Sequence, residues 1–308
     1  MRFLALSTDT KHTAAMARLV AGLRAAGHEA VAKGADKDFI LVDNAGSIRS
    51  ASVPIIWLPH GLSPSKWAFC NQRFDWHLNQ NKADNLADLM LLPGPWWLTF
   101  MRQYFPTSRQ AFVTGWPKAD ALVDANVPPA KAGAKPVILF APSWNRADLS
   151  TVGTFHLVDD VQKIASQHGT FVVVPHHPDF HKRDGAVEVG DITPWLKAAD
   201  VLITDQSSTA IEFAVLDKPV LHLTDVIKAR QWSGGDGQQF AVGALVTLDD
   251  LGQAITEALA APNKYKHLRD YWVAAMLYDV GHATQRCIRV IEAFMGIWKD
   301  TNVHCHGK

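Results

Sequence analysis

Short apolar runs recur along the chain with room for one amphipathic segment between successive runs, and this alternation predicts strands that cross over through helices into parallel sheets. Phe3 to Leu6 reads as a first strand, and Thr13 to Ala26 as a helix stopped by Gly27. Further strands are expected at Phe39 to Val42, Pro54 to Leu58, Leu89 to Leu92 and Ala111 to Val113. The stretch from Val127 to Pro136 is rich in Pro, Ala and Lys and poor in large apolar residues, as exposed linkers are. Beyond it the alternation restarts, with strands expected near Val137 to Phe140, Phe171 to Val174, Val201 to Thr204, Val220 to Leu223 and Ala244 to Thr247. The pattern therefore predicts an α/β chain of two doubly wound domains, 1–126 and 137–280, with a linker at 127–136. In the remaining segment, 281–308, Ile288, Ile291, Met295 and Trp298 share one side of an expected helix, with Arg286, Arg289 and Glu292 elsewhere. Such a helix suits docking on a domain or lying on a membrane surface.

A length of 308 residues allows two domains with cores of their own, and 48% hydrophobic with 19% charged residues is an ordinary globular balance. Lys plus Arg and Asp plus Glu both number 30, so no net basic field draws in nucleic acid or anionic lipid. Cys70, Cys287 and Cys305 are odd in number and far apart, which argues against a disulfide framework and fits a reducing compartment. The apolar start, Met1 to Leu6, is too brief for a signal peptide, and no run approaches the roughly 18 apolar residues that span a bilayer. A cytoplasmic location is expected, with contact at the inner membrane face left open. The eleven tryptophans, including the adjacent Trp96 and Trp97, suit core, interface or membrane surface alike. The tail residues His304, Cys305 and His306 are metal-ligand types at a terminus; they read as a disordered tail, and no metal is assigned to them.

In open parallel sheets ligands bind beyond the carboxyl ends of the strands, so polar residues directly after apolar runs carry the candidate chemistry. His60-Gly61 follows the run Ile55 to Leu58; an imidazole there suits a general base, or a loop histidine bonded to backbone. Phe171 to Val174 runs into Pro175-His176-His177-Pro178, where His177, held extended by the following proline, is the better candidate to meet an anion. Adjacent histidines on an extended chain point in different directions and do not suit one metal. After Val201 to Thr204 come Asp205-Gln206-Ser207-Ser208-Thr209, with a helix expected from about Ser207. A helix start with clustered hydroxyls suits phosphate, and equally suits plain N-capping, since Thr209 to Glu212 fits a capping box. Phe140 leads into Ser143-Trp144-Asn145-Arg146, a ring and a guanidinium that suit a nucleotide or an ordinary surface loop.

Six segments taken in order are far more specific than any one of them. They are His60-Gly61-Leu62-Ser63-Pro64-Ser65-Lys66; Thr114-Gly115-Trp116-Pro117-Lys118-Ala119-Asp120; Ala141-Pro142-Ser143-Trp144-Asn145-Arg146; His177-Pro178; Ala199 to Ser208 continued through Lys218-Pro219; and Asp279-Val280-Gly281-His282-Ala283-Thr284-Gln285-Arg286. The set resembles the CDP-glycerol glycerophosphotransferase family, which includes teichoic acid primases and polymerases and related capsule enzymes. Two departures stand out: Asp205-Gln206-Ser207-Ser208 where the family usually has Asp-Tyr-Ser-Ser, and Leu62 to Lys66 where it often has Thr-Pro-Leu-Lys.

The resemblance implies the GT-B fold, two facing Rossmann-like domains with the donor between them and a C-terminal helix crossing back to the first domain. It implies a transferase that moves glycerol phosphate or a related polyol phosphate from CDP-glycerol or another CDP-polyol to a polymer or lipid-linked saccharide, releasing CMP. His60 would deprotonate the acceptor hydroxyl as it attacks the β-phosphorus. His177, Ser207 and Ser208 would hold the pyrophosphate, assisted by Arg146, and Glu212 would bond polyol or ribose hydroxyls. Gly61, Lys66, Ser143 and Trp144 complete the expected donor-binding set. No redox cofactor is implied, and no Asp-x-Asp metal signature stands in a suitable loop. The same fold also serves glycosyltransferases and epimerases of nucleotide sugars, or a nucleotide-binding protein without catalysis.

Overall fold

The computed structural model describes residues 1–6, 10–43, 52–59, 61–62, 87–104, 110–143, 153–174, 191–205, 207–225 and 241–305. The chain forms two compact units, the first built mainly from residues up to Ala121 together with those from Ala275 onward, the second mainly from Leu122–Ala274.

Unit 1 holds a six-stranded sheet of β1 (Arg2–Leu6), β2 (Glu29–Ala30), β3 (Phe39–Val42), β4 (Ile55–Trp57), β5 (Leu89–Leu92) and β6 (Gln110–Val113). All pairings are parallel, in the order β2-β1-β3-β4-β5-β6. Its helices are α1 (Thr10–Ala25), α2 (Pro95–Tyr104) and α3 (Pro117–Val123), joined by the C-terminal helix α9 (Ala283–Cys305). Unit 2 holds β7 (Val137–Phe140), β8 (Thr170–Val173), β9 (Val201–Thr204), β10 (Val220–Leu223) and β11 (Ala244–Val246), again all parallel, in the order β11-β10-β9-β7-β8. A short 3-10 turn (Thr154–Leu157) leads into α4 (Val158–Ala165), followed by α5 (Thr193–Ala198), α6 (Thr209–Ala214), α7 (Leu251–Ala260) and α8 (Lys266–Met276).

Counted from the first strand of each unit, both sheets begin with the order 2-1-3-4-5. The order reverses between β1 and β3 in unit 1 and between β7 and β9 in unit 2, and those reversals are the switch points where doubly wound sheets bind ligands. The strands expected from the sequence are present to within one residue at either end. The reason is burial on both faces: β5, β7, β9 and β10 are buried throughout, so β5 and β7 are written as unbroken apolar runs and β9 and β10 carry one polar residue each, Thr204 and His222. The two-residue edge strand β2 has no such run and was not expected. Helix α1 starts at Thr10, three residues earlier than the periodicity suggested. It stops as expected, with Gly27 at φ 85 and bonds from Gly27 N–H to the Arg24 carbonyl and from His28 N–H to that of Leu23, 3.0 Å each.

The core of unit 2 gathers Ile138 and Phe140 of β7, Val201 and Ile203 of β9, and Leu221 and Leu223 of β10 against Val161 of α4 and Ile255 of α7. In unit 1, Phe3 stacks on Phe39 at 5.6 Å between centroids, and Trp97 and Trp116 are fully buried. The buried tryptophans Trp57, Trp97, Trp116 and Trp272 thus serve the cores.

Helix α9 packs on α1 within unit 1. Its inner side consists of Ala283, Cys287, Ile291, Phe294 and Met295, with the expected Ile288 and Trp298 only half-buried beside it. Glu292 meets His28 Nε2 at 3.0 Å, and Lys299 pairs with Asp38 at 2.9 Å. Such rim pairs contribute about 0–1 kcal/mol each. The stronger fixture is at the helix start. The buried carboxylate of Asp120, on α3, accepts from Gly281 N–H (2.8 Å) and Ala283 N–H (3.1 Å) on Oδ1, and from Thr284 N–H (2.8 Å) and Thr284 Oγ1 (2.7 Å) on Oδ2. A helix start leaves its first amides without intrahelical partners, and Asp120 meets that need from 161 to 164 residues away in sequence. None of the described helices is long and apolar enough to cross a membrane.

Replacing Asp120 by Ala should lower the unfolding free energy by about 3 kcal/mol, because buried donors to a charged acceptor lose their partner; urea midpoints of the two proteins measure this. Burial pushes the Cys287 thiol up to about 12, with the Thr114 bond acting in the opposite direction. Cys287 should therefore resist iodoacetamide at pH 8 in the folded protein and react only in denaturant, which peptide mass mapping reads directly.

Candidate functional site

At the switch point of unit 2, β7 and β9 lie side by side and their carboxyl ends release Ser143 and Asp205. Asp205 is 6% exposed, and a carboxylate so far from water is tolerated only when hydrogen bonds replace hydration. Ser143 N–H donates to Oδ1 (2.9 Å) and Oδ2 (3.0 Å), Thr154 N–H to Oδ2 (2.9 Å), and Thr154 Oγ1 to Oδ2 (3.2 Å). Asp205 thus ties the chain leaving β7 and the turn that starts at Thr154 to the end of β9. The approach leaves no room at Gly153, where a Cβ would stand 2.2 Å from the Ser143 carbonyl oxygen and 3.4 Å from Asp205 Oδ2.

The main chain of Asp205 is fixed as well. His222, the one polar residue of β10, reaches the Asp205 carbonyl with Nδ1 (2.9 Å), while Val242 N–H lies 3.3 Å from Nε2. A carbonyl only accepts and a backbone amide only donates, so the ring is neutral, with its proton on Nδ1. Around this clasp one hydroxyl is left over. Ser143 is buried at 4% exposure, and its Oγ has no hydrogen-bond partner among the described residues. A buried hydroxyl without a partner costs about 1–3 kcal/mol, which a ligand oxygen would recover.

Of the residues singled out from the sequence, Ser143, Ser207, Ser208 and Glu212 belong to unit 2 and Gly61 to unit 1. The structure gathers the first three at the carboxyl end of the β7/β9 pair. His60, Lys66, Trp144, Arg146 and His177 lie outside the described residues. Helix α6 begins at Thr209 rather than Ser207, and its N-cap is Ser208, without a side-chain cap bond, so Thr209 does not stand at the cap position that a capping box requires. Ser207 Oγ instead lies 3.0 Å from Thr209 Oγ1 and 3.4 Å from Thr209 N, a weak local bond that leaves the hydroxyl free to take a better partner. Glu212 is buried on α6 at 3% exposure. In unit 1, fully buried Trp116 donates its Nε1–H to the carbonyl of Pro59 at 2.9 Å, which anchors the main chain one residue before His60.

Residues 54–293 match the model of the family described as CDP-glycerol:poly(glycerophosphate) glycerophosphotransferase. The chain belongs to this family. It is 24% identical over 170 residues to the teichoic acid glycerol-phosphate primase of Bacillus subtilis (strain 168); the match covers 51% of this chain and 44% of that relative, so less than half of the relative's length is represented. Among solved structures it is similar to the wall teichoic acid polymerase TagF, with TM-score 0.67 and 14% identity over 96% of this chain and 89% of the other. It is also similar to MnaA of S. aureus bound to UDP, with TM-score 0.61 and 17% identity over 96% and 97% of the two chains. These likenesses establish the GT-B fold. The glycerophosphotransferase segments quoted from the sequence acquire structural tasks: Trp116 and Asp120 anchor Pro59 and α9, and Asp205 organises the unit 2 switch point.

Asp205, Thr154 and His222 are not among the site residues expected from the sequence. For His222 a signal existed, a lone titratable residue inside an apolar strand. For Thr154 none did, because its partner is 51 residues away.

Burial pushes the His222 imidazole below its ordinary range, with Asp205 acting against that shift. In the unfolded chain the ring takes up a proton as pH falls through about 6.5, while the folded protein resists it. The stability from neutral His222 is therefore complete above about pH 6.5 and lost progressively as pH falls toward the depressed folded value. Urea midpoints at pH 7.5 and 5.5 should fall further on acidification in the wild type than in His222→Phe.

Proposed function

We propose that the protein transfers glycerol phosphate, or a related polyol phosphate, from a CDP-linked donor to a hydroxyl of a surface polymer or its lipid-linked precursor. In the reaction the acceptor oxygen forms a bond to the β-phosphorus, the bond from that phosphorus to the bridging oxygen breaks, and CMP departs with the bridging oxygen. His60 takes the proton of the attacking hydroxyl. Ser143, Ser207 and Ser208 hold the donor's phosphates at the carboxyl end of the unit 2 sheet, with His177 and Arg146 supplying further contacts. Donors held where charge builds on the leaving phosphate lower the barrier without reorganisation. Gly61, Lys66, Trp144 and Glu212 complete the donor-binding set, Glu212 toward ribose or polyol hydroxyls. The acceptor is met at the cytoplasmic face of the membrane.

The observation that carries this reading is Ser143: a family-matched segment contains a buried hydroxyl without a partner among the described residues, at the switch point where this fold takes its ligands. The fold is shared with UDP-N-acetylglucosamine 2-epimerases, one of which is similar at TM-score 0.59 and 17% identity, so fold alone does not choose the donor. The family match over residues 54–293 favours the CDP-polyol.

The purified protein should release CMP from CDP-glycerol or CDP-ribitol when given a suitable acceptor; turnover of a UDP-sugar with no response to any CDP-polyol would overturn the reading. Ser143→Ala, and Ser207→Ala combined with Ser208→Ala, should each weaken CDP-glycerol binding roughly ten-fold by calorimetry. His60→Ala should abolish turnover and keep donor affinity.

A further inference from the structure

His222 lies three residues into β10, in register with Thr204 of β9 and on the opposite face from Leu221 and Leu223, which face the unit 2 core. Its 5% exposure makes it one of the few buried titratable side chains of the unit among the described residues, and both its ring nitrogens meet backbone groups. A strand position of this kind is ordinarily apolar. The imidazole instead joins three places that parallel pairing alone leaves unconnected: the end of β9, the middle of β10 and the residue two before β11.

We propose that His222 is a positioning residue for donor binding, setting through the Asp205 carbonyl the direction in which the chain leaves β9 toward Ser207 and Ser208. The Asp205 carbonyl, held at 2.9 Å by Nδ1–H, has its direction fixed at the end of β9. The Asp205 carboxylate then carries that orientation to Ser143 and Thr154. Val242 N–H supplies the second support: by donating to Nε2 it keeps the proton on Nδ1, where the Asp205 carbonyl needs it. An apolar side chain of similar size would fill the space and leave both backbone groups without partners. This inference rests on the donor site proposed above, and the two fail in different ways.

The test compares wild type with His222→Leu, which loses both bonds, and His222→Asn, whose amide can reach the Asp205 carbonyl. For His222→Leu the KM for CDP-glycerol and the Kd for CMP should rise about ten-fold while kcat at saturating donor stays within about two-fold; His222→Asn should recover most of the affinity. Amide hydrogen exchange should quicken at Ser207, Ser208, Thr209 and Val242 in His222→Leu and stay unchanged in the strands of unit 1. Unchanged exchange at those four amides overturns the proposal, as does a fall in kcat equal to the loss of affinity, or a His222→Asn protein no better than His222→Leu. If the wild type binds neither CDP-glycerol nor CMP, the donor reading has failed, and the exchange measurement still decides whether His222 positions Ser207 and Ser208. If His222→Leu does not fold, His222→Asn and His222→Gln are compared instead. Asn retains donor affinity and Gln, whose amide falls at the Nε2 end, loses it; equal affinities overturn the proposal.

Discussion

A carboxylate held almost out of water at the end of β9 is the constraint on which the candidate site depends. Asp205 is stable there only because Ser143 and Thr154 supply donors in place of hydration. The requirement acts in both directions. The backbone amides of Ser143 and Thr154 are themselves buried and need acceptors, so two loops that have no other reason to meet are brought to one point. Neutral His222 continues the same accounting, taking the carbonyl of Asp205 and the amide of Val242. The Ser143 hydroxyl is buried beside these matched groups and has no partner among the described residues.

Unit 1 uses the same physical device for another purpose. Asp120 receives four hydrogen bonds at the start of α9, and in doing so recruits the last helix of the chain into a unit whose strands were completed far earlier in sequence. Three residues before it, α3 begins; one residue before α3, Trp116 holds the Pro59 carbonyl. A single segment, Thr114 to Asp120, therefore secures both the strand end that precedes His60 and the helix that closes the unit. The family segment Thr114 to Asp120 is thus bonded to the family segment Asp279 to Arg286 and to the residue that precedes the His60 segment.

The alternation of apolar runs made nearly every strand legible, and for a definite reason. Parallel strands covered by helices on both faces are written almost wholly in apolar residues, so Val137 to Phe140 or Leu89 to Leu92 can be read directly. Where burial is incomplete the reading weakens. The edge strand β2 is two residues long, and the hydroxyl cluster before α6 supports several helix starts equally well by local propensity. Ser143, Ser207, Ser208 and Glu212 were accessible as candidates because each follows an apolar run within a family segment. Thr154 was not, since nothing local distinguishes it from any other threonine before a helix.

The sequence by itself determined the fold class, the strands to within a residue, the stop of α1 at Gly27 and the family, because these depend on local patterning, on turn chemistry and on motifs contiguous along the chain. Only the tertiary structure decided which polar residues are partners. Asp120 with Thr284, Asp205 with Thr154 and His222 with Val242 are separated by 164, 51 and 20 residues. Pairings of that range follow from satisfying buried donors and acceptors after the sheets have assembled, and that requirement has no signature in the order of residues along the chain.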